Sequence, residues 1–120
     1  MSGRDWAAQQ GYREALEQWR DTGDRRGMVY AIEGIAITLA RAERFVNAVQ
    51  LFAGAGALAP EVGAGSMSRW NEWRDRHLNL LRDALSPDEL SAHWAAGRRL
   101  DLDVLVKEAL VTAGGAVRSR

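Results

Sequence analysis

Apolar and small residues recur along this chain at every third or fourth position. That is the period of helices rather than strands. Ile32, Ile35, Ala36 and Leu39 form one stripe, and Ala48, Phe52 and Ala55 form the next. Pro60 falls where a helix-turn-helix unit of roughly 34 residues should end. The spacing predicts an all-α chain of five to six helices. The first spans about Asp5–Asp21, with Tyr12, Ala15, Leu16 and Trp19 on its buried stripe. Gly23 ends it in the left-handed conformation that glycine adopts most easily, and Asp24 caps a second helix over about Arg26–Ala42. Met28, Ile32, Ile35, Ala36 and Leu39 line the core side of that helix. A turn at 41–44 is too short for anything but an antiparallel partner over Phe45–Leu58. Ala15 and Ala48 lie 33 residues apart at equivalent places, so the first helix reads as the second half of a preceding repeat.

Pro60, Gly63 and Gly65 predict a loop from Ala59 to Ser66. Ser66 or Ser68 would cap a fourth helix over Arg69–Leu85, with Trp70, Trp73, His77, Leu80, Leu81 and Ala84 on its apolar side. Ser86-Pro87-Asp88-Glu89 is a capping box with proline at the first helical position. It opens a fifth helix that carries Leu90, His93 and Trp94 to about Gly97. A last helix over Leu102–Ala113 is capped by Asp101 and ended by Gly114-Gly115. The reading is one domain over residues 1–115 and a frayed tail over 116–120.

Composition narrows the function class. Sixteen basic residues balance sixteen acidic ones. Nucleic-acid binders usually carry a basic surplus, so direct nucleic-acid binding is not expected. Zero net charge favours self-association. The chain has no cysteine, which excludes disulfides, thiol nucleophiles and thiolate zinc sites. Neither a signal-peptide run nor a membrane-spanning stretch is read in it; Leu51–Pro60, the longest weakly apolar stretch, is mostly Ala and Gly. A soluble cytoplasmic protein is the expectation.

Candidate chemistry is sparse. His77 and His93 are the only imidazoles, and no HExxH or HxH spacing accompanies them, so no metal is expected. The glycines at 54, 56, 63 and 65 contain no phosphate-binding pattern. No GxSxG occurs. Glu72, Asp75 and Asp83 alternate with arginines at helical spacing, as on a solvated, salt-bridged face. No catalytic residue and no cofactor are expected. The five tryptophans stand out. Trp19 and Trp94 read as core, and Trp6 as exposed or as covering the open first end. Trp70 and Trp73 share a helical face with His77, a spacing that serves core packing or an aromatic pocket for a small-molecule effector.

The segment Tyr12–Ala59 resembles tetratricopeptide repeats in Ile35, Ala36, Leu39, Ala48, Phe52, Ala55 and Pro60. It departs from them at Glu43-Arg44, where these repeats often carry Gly-Asp or Gly-Asn. A second resemblance covers most of the chain. It rests on Gly23-Asp24-Arg25-Arg26-Gly27 with Glu33-Gly34-Ile35-Ala36, and on Trp94–Leu102 with Val106, Ala109 and Leu110. These stretches are similar to the C-terminal end of large bacterial regulators that join an ATPase domain, a tetratricopeptide region and often a LuxR-type DNA-binding domain. The ATPase and DNA-binding motifs are absent here. The resemblance implies a right-handed helical repeat and a non-catalytic role in sensing or in binding a partner. In such a repeat the first helix of the unit lines the concave side, which would turn Tyr30, Glu33, Ile37 and Arg41 towards a groove for a peptide or small molecule. One and a half repeats leave an apolar end open, which predicts a protein partner or a homodimer. The last two helices are expected to cap the other end.

Overall fold

Capping chemistry sets the helix boundaries. Ser2 Oγ accepts from the Asp5 amide at 3.0 Å, so the first helix starts two residues earlier than its periodicity predicts. Asp24 caps the second through the Gly27 amide at 2.9 Å. Between them Gly23 takes φ 78°, the expected left-handed stop. Ser86 and Glu89 complete the reciprocal capping box, and Asp101 Oδ1 accepts from Val104.

The computed structural model describes residues 2–64 and 68–118, with side chains for 2–64 and 71–113. Its helices are α1 Gly3–Thr22, α2 Arg25–Arg41, α3 Phe45–Leu58, α4 Ser68–Ala84, α5 Pro87–Arg98 and α6 Leu102–Arg118. A single 3-10 turn, Ala59–Val62, follows α3 and ends at Gly63 with φ 72°. Among the described residues there is no strand. Ser66 lies outside them, and Ser68 is the first residue of α4 rather than its cap. One boundary is corrected. α6 runs through Gly114-Gly115 to Arg118. Glycine disfavours a helix by only about 1 kcal/mol and does not by itself stop one.

α2 is the central element. It packs against α1, α3, α4 and α6, while α3 packs against α2, α5 and α6. From Gly27 to Ala40 every α2 residue except Tyr30 is buried. Leu16, Ile32, Ile35, Leu39, Phe52, Leu81 and Leu105 are at most 2% exposed. Each such side chain stabilises the fold by about 1.5–3 kcal/mol. The segment Phe45–Val62 reaches the length and apolarity of a short membrane span, where the sequence pattern predicts none. Here its apolar residues from Ala48 to Ala55 are buried in the protein core.

Two helical glycines permit the tightest approach. A Cβ on Gly97 would meet the Gln50 backbone, and one on Gly54 would meet Leu105, both inside 3.0 Å. So α5 and α6 sit directly on α3. α6 also packs against α1, so the last helices close over the middle of the molecule instead of capping only its far end. The radius of gyration is 13.2 Å, against about 13.6 Å for a compact chain of this length.

Candidate binding surface

α1 and α2 run antiparallel, and four contacts set their register. Arg41 Nε donates to Asp5 Oδ1 at 2.7 Å. Gln9 Nε2 donates to Thr38 Oγ1 at 3.0 Å, and that hydroxyl in turn donates to the Ile35 carbonyl. The Tyr12 ring lies over Gly34 and the Trp19 ring over Gly27, so close that a Cβ on either glycine would enter the ring. Two rings seven residues apart thus seat on two glycines seven residues apart. Burial pushes the Tyr12 phenol above its ordinary value. Arg41 holds Asp5 below the usual carboxylate range, chiefly through its side-chain hydrogen bond.

The groove expected along Tyr30, Glu33, Ile37 and Arg41 is not open. Glu33 and Ile37 are each 1% exposed. The physical reason is that α2 is packed on several sides, against α1, α3, α4, α6 and the 3-10 turn; at Glu33 α4 brings Arg74 Nη1 to 3.5 Å from Oε2. A stripe that would line a concave surface in an open repeat is here inside the molecule. Arg41 is exposed but engaged by Asp5. Tyr30 borders a cleft, with the Arg26 guanidinium 5.7 Å above its ring.

Trp73 and His77 come together, while the Trp70 side chain lies outside the described residues. The two rings meet edge to face at 5.8 Å and 87°. His77 is 3% exposed. Its Nδ1 lies 2.9 Å from the Trp73 carbonyl. A carbonyl only accepts, so Nδ1 carries the proton in this contact. This is close packing between α4 and the core. On the same helix Leu80 is 47% exposed and Ala84 is also exposed. The apolar face therefore runs through Trp73, His77 and Leu81 and is narrower than its periodicity suggests.

Two of the clefts that face solvent carry aromatic side chains in their walls. The first, about 530 Å³, lies on the outer side of α1 and α2 between the rings of Tyr12, Trp19 and Tyr30. Ala8, Gly11, Ala15 and Ala31 form the rest of its wall, so it contains no charged side chain. The second, about 440 Å³, lies between α4 and α5. Leu78, Leu90 and Trp94 line it, flanked by Arg82 and Arg98. Trp19 and Trp94 pack against the core, as their spacing predicts, and each is half-buried and also forms a cleft wall. The signal for the first was present in the matched spacing of Tyr12 and Trp19 to Gly34 and Gly27.

Comparison of the chain with protein-family models, with curated proteins and with solved structures finds no match.

Proposed function

We propose that this chain is a non-catalytic recognition module. It is a tetratricopeptide-like, right-handed helical stack of the kind that ends large bacterial regulators, working in the cytoplasm. It binds a protein partner, or another part of such a regulator, through the outer face of α1 and α2. One observation carries this reading. The cleft at that face is walled by three aromatic rings and small residues with no charge among them, the composition of a protein-binding hot spot.

A photo-crosslinking amino acid at position 15, introduced in the source organism, tests the reading. The expected product is a covalent adduct with a polypeptide, absent when the probe is moved to exposed position 92. Equal adducts at both positions, or none at 15, would overturn it.

A second reading, a small-molecule effector site, draws on the cleft between α4 and α5. Trp94 and two leucines beside Arg82 and Arg98 suit an acid with an apolar body. Quenching of Trp94 emission by such acids, lost in Arg98→Leu, would favour it.

A further inference from the structure

Gly11 stands in the middle of α1, where glycine disfavours the helix by about 1 kcal/mol relative to alanine. Four other helical glycines have a visible reason. Gly27 and Gly34 admit the Trp19 and Tyr12 rings, Gly54 admits Leu105, and Gly97 admits the Gln50 backbone. Around Gly11 a Cβ would meet nothing within 4 Å, and the residue is part of the wall of the aromatic cleft. Gly56 has equally open surroundings, but no cleft described above includes it.

Close approach of a second helix gives a helical glycine of this kind a use. Gly97 of α5 lacks the Cβ that would meet the Gln50 backbone of α3. Gly11 leaves the same room on α1, at the outer edge of the contact that Tyr12 and Trp19 make with α2.

Charge selects the helix. Arg4 and Glu14 are exposed on α1, one on each side of the Ala8–Gly11 stretch, and neither makes an ion pair among the described residues. We infer that α1 pairs antiparallel with α1 of a second copy of this chain across Ala8 and Gly11. A two-fold axis there sets Ala8 against Gly11 of the second copy. It also brings each Arg4 within side-chain reach of the other copy's Glu14, so the ion pair forms twice. The parallel arrangement would place Arg4 on Arg4 and Glu14 on Glu14. This inference rests on the interaction reading above and names the partner as the chain itself.

Light scattering after size exclusion, over a hundredfold range of concentration, tests it. The expected mass rises from 13.2 kDa towards twice that value. Gly11→Gln, whose side chain has open space in the single chain, should abolish the rise while retaining the helical circular dichroism. Arg4→Glu and Glu14→Arg should each weaken dimerisation by roughly tenfold, since each acts twice, and the double exchange should restore it. A mass fixed at 13.2 kDa, or a dimer indifferent to all these variants, would overturn the inference. The crosslink at position 15 separates the two failures. An adduct with a different protein sinks the self-pairing and keeps the interaction reading, whereas no specific adduct sinks both.

Discussion

At Glu43 the backbone holds φ 62° in the short connection between α2 and α3. A side chain in that region costs about 1–2 kcal/mol that glycine avoids. Glu43 is exposed, so its carboxylate brings no packing in return. Glu43→Gly should therefore stabilise the protein by about 1 kcal/mol, read as a higher urea midpoint with unchanged slope. A lower midpoint would mean that Glu43 makes a compensating contact. A second residue-scale effect is acid sensitivity. Arg41 holds the Asp5 carboxyl below its ordinary value. A carboxyl with a depressed folded-state pKa stabilises the fold above its unfolded value, and that contribution is lost as pH falls through the folded value. The pair sits at the surface, with Arg41 48% exposed, so the effect is small and salt-sensitive. Asp5→Asn should lower the melting temperature slightly at pH 6 and leave it unchanged near pH 2. An equal loss at both pH values would show that the pair's charge is not the cause.

At the scale of the element, the helix α5 joins two effects with separate origins. Its start is local: the Ser86–Glu89 capping box is legible in four residues. Its position is not local, because it depends on Gly97 meeting the Gln50 backbone. Gly97→Ala puts a methyl where rigid main chain stands and should destabilise by about 1–3 kcal/mol, more than its gain in helix propensity. Differential scanning calorimetry of the variant would read a lower melting temperature; a raised one would mean that α5 shifts freely. The same division explains what the sequence reveals. Caps, stops and the α2–α3 spacing depend on neighbours in the chain, so five of six helices are placed within a residue or two at most ends. The burial of Glu33 depends on where α4 returns, and that of Ile37 on how many elements close around α2, which no periodicity in α2 encodes. The Arg74–Glu33 contact joins residues 41 positions apart through that return. The cleft is half legible: its rings and facing glycines share a spacing of seven, while their partial exposure depends on which edge of the α1–α2 contact α6 leaves uncovered.

At the scale of the molecule, α6 decides whether the chain behaves as a repeat array or as one cooperative unit. In a linear array each unit touches only its neighbours, and end units can melt separately. Here α6 packs against α1, α2 and α3 together. Leu105 is 0% exposed and sits on Gly54, while Val106 and Lys107 border the recess shared with Arg20 of α1 and Met28 of α2. A loss in α6 is therefore felt at both ends of the chain. Leu105→Ala should destabilise by about 2.7–5 kcal/mol through lost burial and the cavity left behind. The weakened protein should still unfold in one step. Far-ultraviolet circular dichroism, which follows all helices, and tryptophan emission, which includes Trp19 on α1 and Trp94 on α5, should give one shared urea midpoint shifted together. Separate midpoints in Leu105→Ala would mean that α1–α2 folds without α6. The aromatic cleft would then belong to a unit independent of the C-terminal helices, and its partner could be sought with that unit alone.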